Sequence, residues 1–233
     1  MENLPFTKDG LILNAPVFTA EQAKRLMELT HGHLLPAVSA HDFGFRHGLE
    51  LVKKLKQVTP VVSVALGGGG NVQAWETALN IANRGNAGHL NQPLVTAPYA
   101  QGLLTNQLVN GILILEPNGN LLATYLNGSP ALSLTPNAAG QLLSDMQLNS
   151  LKLLGVGKVS LPVFKDTVQN LGNPEYLELA GGLNLKNISG YIKAATDAGF
   201  KVIPHVFGAM ANFETMSLDY SKARAFVEKL NLI

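Results

Sequence analysis

The sequence predicts a closed (β/α)8 TIM barrel with a hairpin inserted after the fifth strand, on three grounds. Short apolar, β-branched runs alternate with longer segments of helical spacing, the pattern of a parallel sheet wrapped by helices. At 233 residues, the chain has the length of one such barrel and no linker that would split it, so residues 1–233 are expected to form a single domain. No Gly-x-Gly-x-x-Gly follows the first run, which tells against an open dinucleotide-binding sheet.

In order, the first strand is expected near Leu11–Asn14, followed by a helix near Thr19–Thr30. Thr19 stands three residues before Gln22, the spacing of a capping box. The second unit pairs Leu34–Val38 with Arg46–Gln57, and the third pairs Val61–Leu66 with Asn71–Asn83. The fourth strand, Gly88–Gln92, has no assigned helix. After the fifth, Asn110–Glu116, the turn sequence Glu116-Pro117-Asn118-Gly119-Asn120 leads into a second extended run, Leu121–Leu126, hence the hairpin. A helix near Pro136–Met146 follows, with Pro136 behind Thr135 at the favoured first helical position. The sixth unit is Leu151–Leu154 with Leu161–Leu171. The seventh is Tyr176–Ala180 with Leu185–Ala198, a helix that Asn184 could cap and Gly199 could end. The eighth is Lys201–Val206 with Asp219–Leu230.

Composition narrows the class of function. Hydrophobic residues are 46% of the chain and charged residues 14%, so a large core can form. The net charge is +1 and no basic stripe is present, which argues against nucleic acid or an anionic membrane as partner. There are no cysteines, which removes disulfides, thiolate zinc sites and a cysteine nucleophile, and suits a reducing cytosol. Met1-Glu2-Asn3-Leu4-Pro5 lacks the basic and apolar segments of a signal peptide, and no run approaches ~20 apolar residues. A cytoplasmic, soluble protein that binds a small molecule is expected.

In a barrel, reactive groups sit at the carboxyl ends of the strands. Lys152 lies inside the apolar run Leu151-Lys152-Leu153-Leu154, so it should face the barrel interior if its neighbours face the helices. Desolvation would lower its pKa, and a fall from ~10.4 to ~7–8 takes roughly 4 kcal/mol. The neutral amine could attack a ketone, or the lysine could serve a structural ion pair. Glu178 on the seventh strand could be an acid/base group or the lysine's partner. Gly181 and Gly182 follow it before a helix, where backbone amides attract an anion. Gly68 and Gly69, within Gly67-Gly68-Gly69-Gly70-Asn71, could present amides to a carboxylate or phosphate, or form a lid. Asn91 and Gln92 end the fourth strand as candidate donors to substrate oxygens, and His205 on the eighth strand is a binding or core histidine. His31, His33, His41 and His47 lack the spacing of a metal site on one helix, and no metal is expected; His41 and Asp42 are further acid/base candidates.

Several of these segments, read together, resemble the 2-dehydro-3-deoxyphosphogluconate aldolases of glucosaminate breakdown, also labelled 4-hydroxy-2-oxoglutarate aldolases. The resemblance runs from about Leu34 to the C-terminus. It is carried by Ser63-Val64-Ala65-Leu66-Gly67-Gly68-Gly69-Gly70-Asn71, Gly88-His89-Leu90-Asn91-Gln92, Asn149-Ser150-Leu151-Lys152, Leu177-Glu178 with Gly181-Gly182, and Val202-Ile203-Pro204-His205-Val206. It implies a class I aldolase in which Lys152 forms a Schiff base with a 2-keto acid and Gly181-Gly182 help hold a phosphate. Asn127-Gly128-Ser129-Pro130 falls where the family has Ser-Thr-Gly-Pro, which implies substrate contact by Ser129. Leu153-Leu154-Gly155 replaces the family's aromatic pair and proline, and Leu179-Ala180 replaces Pro-Thr before the glycine pair. The resulting expectation is reversible cleavage of a phosphorylated 2-keto-3-deoxy sugar acid to pyruvate and an aldehyde, by a homo-oligomer needing no cofactor. The alternatives are a metal-assisted aldolase or sugar-phosphate isomerase using Glu116, Glu178, His89 or His205, and a non-catalytic sugar-acid-binding barrel.

Overall fold

The structure, a computed structural model, describes residues 4–172 and 174–232. It begins with β1 (Leu13–Pro16), α1 (Ala20–Leu29), β2 (Leu34–Ser39), α2 (Ala40–Leu55) and β3 (Val62–Ala65). Next come α3 (Trp75–Gly85), β4 (Gly88–Pro93), α4 (Ala97–Leu103) and β5 (Leu108–Leu115). Two further strands, β6 (Leu121–Thr124) and β7 (Pro130–Leu134), precede α5 (Pro136–Asp145). The second half holds β8 (Ser150–Leu154), α6 (Leu161–Leu171), β9 (Tyr176–Ala180), α7 (Ile188–Asp197) and β10 (Lys201–Pro204). It ends with α8 (Phe207–Met210), β11 (Ala211–Asn212), β12 (Ser217–Leu218) and α9 (Tyr220–Lys229).

Eight of these strands pair in parallel in the order β1-β2-β3-β4-β5-β8-β9-β10. Single parallel bridges, Leu11 to Val202 and Asn14 to His205, draw β1 against β10, so the sheet curls into a nearly closed barrel with helices outside. Strand alternation then sorts the side chains. Leu13, Val64, Leu90, Val109, Leu151, Leu153, Leu177 and Leu179 belong to the apolar layer shared with the helices. Ile12, Leu35, Val61, Leu108 and Ile203 form a separate cluster inside the barrel, covered by Leu4, Phe6 and Tyr176. The interior above that plug is polar.

Helix ends follow local chemistry. Thr19 Oγ1 accepts from Gln22 N at 3.1 Å, while the Gln22 side chain accepts from Phe18 N, one residue earlier than a standard capping box. Thr135 caps α5, with Pro136 at its start. The α2 helix begins six residues before the expected Arg46, because Ser39 Oγ accepts from Asp42 N, and it kinks at Gly44. The α7 helix begins at Ile188 rather than Leu185, because Asn184 and Asn187 bond each other in the preceding turn. β1 lies two residues beyond the expected span, and Leu11 contributes only a bridge. The α4 helix carries no strong periodic signal in seven residues containing Pro98 and Gly102. β6 pairs antiparallel with the end of β5 and with β7, a strand the sequence reading did not assign.

Candidate active site

The β8–β9 register sets Lys152 directly opposite Glu178. Both point into the barrel because Leu151 and Leu153 on one strand, and Leu177 and Leu179 on the other, fill the outer layer. Lys152 Nζ lies 2.5 Å from Glu178 Oε1 and 3.0 Å from His205 Nδ1. His205 Nδ1 is itself 2.8 Å from Glu178 Oε1. On the other side, Asn110 donates to Glu178 Oε2 at 2.6 Å and to Asn91 Oδ1 at 2.9 Å, and Ser150 donates to Asn110 Oδ1. Ser63 bonds His89 Nδ1 at 2.8 Å, and Asn14 Nδ2 reaches Ser63 at 3.3 Å and Glu178 at 3.4 Å. Side chains from β1, β5, β8 and the end of β10 therefore converge on one carboxylate.

Burial governs the charges here. It pushes Lys152 below the ordinary lysine value, against the opposing pull of Glu178. Burial alone would raise Glu178, yet Lys152, His205 and His89 together hold it well below the usual carboxylate range. His89 is pushed down to about 4 by burial, and so is His205, where Lys152 adds to the effect. The centre thus contains an ionised carboxylate, an amine biased toward its neutral form, and two neutral imidazoles.

A cavity of about 740 Å³ opens above this centre at the carboxyl ends of the strands. Lys152, Asn91 and His205 line it, together with the Gly67–Gly70 loop, Gly181, Gly182 and, at the mouth, Asp42. Asn91 lines the cavity, and its buried Nδ2 has no hydrogen-bond partner, so one donor at this wall is unused. Gly181 has φ +82°, and a Cβ there would fall 2.5 Å from Gly155 N, so only glycine lets the β8 and β9 loops pass this closely. Phe207 stacks on the His205 ring with centroids 3.6 Å apart, and Phe213 stands beside Phe207 at the rim.

The sequence-derived candidates divide accordingly. Lys152, Asn91, Gly68, Gly69, Gly181, Gly182 and His205 line the cavity. Glu178 is fully buried beneath it and is not among the lining residues, so it acts on the cavity only through its partners. Gln92 does not belong to the site: alternation turns it toward the helices, where it donates to Trp75 O and accepts from Thr96. Ser129 does not belong either, since it bonds Asn127 in the exposed β6–β7 turn. Glu116 is held by Ser133 in the same hairpin, and His41 bonds Asn71 outside the barrel. Among the described residues, no group of three His, Asp or Glu is disposed to hold a metal ion. Asn14, Ser63, Asn110 and Ser150 were not singled out from sequence, although each is a polar residue within or at the end of an apolar run, as Lys152 is.

Fold and site together define an α/β barrel with a small-molecule cavity over a buried amine–carboxylate pair. The chain belongs to the KDGP aldolase family, whose profile matches residues 7–213, and it is therefore a member of an aldolase family. No curated protein matches the sequence. Among solved structures, the native KDPGal structure is 13% identical with a TM-score of 0.58, over 97% of this chain and 96% of that one. Phosphoribosyl anthranilate isomerase from Thermus thermophilus is 14% identical with a TM-score of 0.60, over 94% and 98%. Thiamine phosphate pyrophosphorylase from Pyrococcus furiosus is 14% identical with a TM-score of 0.59, over 96% and 95%. At these identities the likeness is one of fold. No described helix is long and apolar enough to cross a membrane.

Proposed function

We propose that the protein is a class I aldolase that cleaves a 2-keto-3-deoxy sugar acid to pyruvate and an aldehyde. The observation that carries this reading is Lys152: its amine lines the cavity, is desolvated, and has a carboxylate partner directly across the strand pair. A neutral amine in that position attacks the C2 ketone, and the resulting iminium withdraws electrons from the bond to be cleaved. Glu178 supplies a fixed counter-charge for the cationic imine. Asn91 Nδ2, which lacks a protein partner, would donate to a substrate oxygen.

We take 2-dehydro-3-deoxy-6-phosphogluconate, the substrate of the glucosaminate pathway, as the first compound to assay. Amides of the Gly67–Gly70 and Gly181–Gly182 loops would receive its anionic ends. No organic cofactor enters the scheme. Cytoplasmic operation suits the absence of cysteine. Homo-oligomerisation has support in the exposed side chains of Val95, Tyr99 and Leu103, spaced along one face of the α4 region, and would be read by light scattering.

The test is borohydride reduction in the presence of pyruvate, followed by peptide mapping. The expected result is one adduct, on Lys152, that disappears in Lys152→Ala. Trapping that persists in that variant would reassign the nucleophile. Turnover lost to a chelator and restored by a divalent ion would favour the metal-assisted reading.

A further inference from the structure

Three titratable side chains line the cavity: Lys152, Asp42 and His205. Lys152 is committed to the imine under the reading above, and Asp42 accepts a hydrogen bond from Ser39 at the mouth. Glu178 lies out of a substrate's reach, with its carboxylate shared among Lys152, His205, Asn14 and Asn110. A retro-aldol step still needs a group that accepts the proton of the C4 hydroxyl. His205 meets the geometric requirement. Its Nδ1 lies 3.0 Å from the nucleophilic nitrogen, and among the described residues its Nε2 forms no hydrogen bond. Once Lys152 has lost its proton it no longer requires Nδ1 as an acceptor, and because ionised Glu178 can only accept, the Nδ1 contact with Oε1 then places the proton on Nδ1 and leaves Nε2 with a free lone pair.

We propose that His205 is the proton-transfer catalyst of this site, held in the required tautomer by Glu178 and in the required orientation by the Phe207 ring stacked on it. This rests on the Schiff-base reading. With Lys152 joined to C2 as an iminium, His205 Nε2 takes the C4 hydroxyl proton. The O–H electron pair forms the aldehyde C=O, the C3–C4 pair forms the C2=C3 enamine, and the iminium π pair returns to nitrogen. The imidazolium then gives its proton to C3, regenerating the iminium of pyruvate, and water releases the free amine. The charged and titratable groups facing the ring are Lys152 from β8, Glu178 from β9 and, deeper in the barrel, His89 from β4. Phe207 is a positioning residue, acting through the imidazole and keeping water from one of its faces.

Exchange of the pyruvate methyl protons with deuterated water, followed by NMR, reads the C3 proton transfer apart from the rest of the reaction. His205→Gln is expected to keep borohydride-trappable pyruvate on Lys152 while exchange falls at least ~100-fold. Exchange within threefold of the parent would overturn the histidine's role while leaving the imine intact. Absence of trapping in the parent protein would instead remove the Schiff-base reading itself. Should His205→Gln fail to fold, Phe207→Ala provides the second measurement. The acid limb of exchange, expected near pH 4 in the parent, should move toward 6.5 as the ring is wetted. A limb that stays in place refutes the assignment.

Discussion

When Lys152 is protonated, it and Glu178 set two opposite charges against each other deep in the barrel, where either one alone would be unfavourable. Glu178→Gln removes the carboxylate and leaves the protonated amine with neutral His205 as its other hydrogen-bond contact. Urea unfolding should show a loss of about 3 kcal/mol or more. Adding Lys152→Met removes the orphaned charge, and the double variant should recover most of that loss. A double variant no more stable than Glu178→Gln alone would show that the pair is not the source of the penalty. Lys152 was legible in the sequence because one charge interrupts an apolar run. Asn110, with two bonds that organise Glu178 and Asn91, was not, since a polar residue within a strand does not reveal which strands meet across the barrel.

At the level of elements, the loops above the cavity depend on where backbone segments pass one another. Gly181→Ala introduces a Cβ 2.5 Å from Gly155 N at a φ of +82°, and neither loop has a flexible side chain to yield. Gly69→Ala also starts from positive φ, +72°, but has no atom within 4 Å of the new Cβ. Calorimetry should therefore show a loss near 1 kcal/mol for Gly69→Ala and at least twice that for Gly181→Ala. Equal losses would mean that backbone conformation alone, and not the close approach, requires glycine at 181. The glycine pair was visible as sequence, yet its contact with the β8 loop was not, because that contact links loops from two neighbouring units. For a similar reason the β11–β12 hairpin that carries Phe213 escaped the reading: its two-residue strands are too short for any periodic signal.

For the molecule as a whole, β/α alternation was legible because each unit must bury one face against the next, whereas the polar interior arises only when β1 meets β10. That interior sets the response to acid. His89 and His205 have folded values near 4 against 6.5 in the unfolded chain, so between those pH values the unfolded chain binds more protons than the folded one. Stability must then fall as pH drops from 6.5 toward 4, by on the order of 3 kcal/mol for each histidine if they titrate independently. Glu178 adds to this below its unfolded value of 4.5: its folded value is depressed, so its contribution is present above that pH and is lost as the solution becomes more acidic. Urea midpoints taken at pH 7, 5.5 and 4.5 should decline at each step, and His89→Gln, which keeps a hydrogen-bonding side chain but cannot titrate, should make the decline shallower. Midpoints that stay level across that range would show that both imidazoles take up protons within the fold, and the interior would then have to carry two more positive charges beside Lys152 than its burial allows.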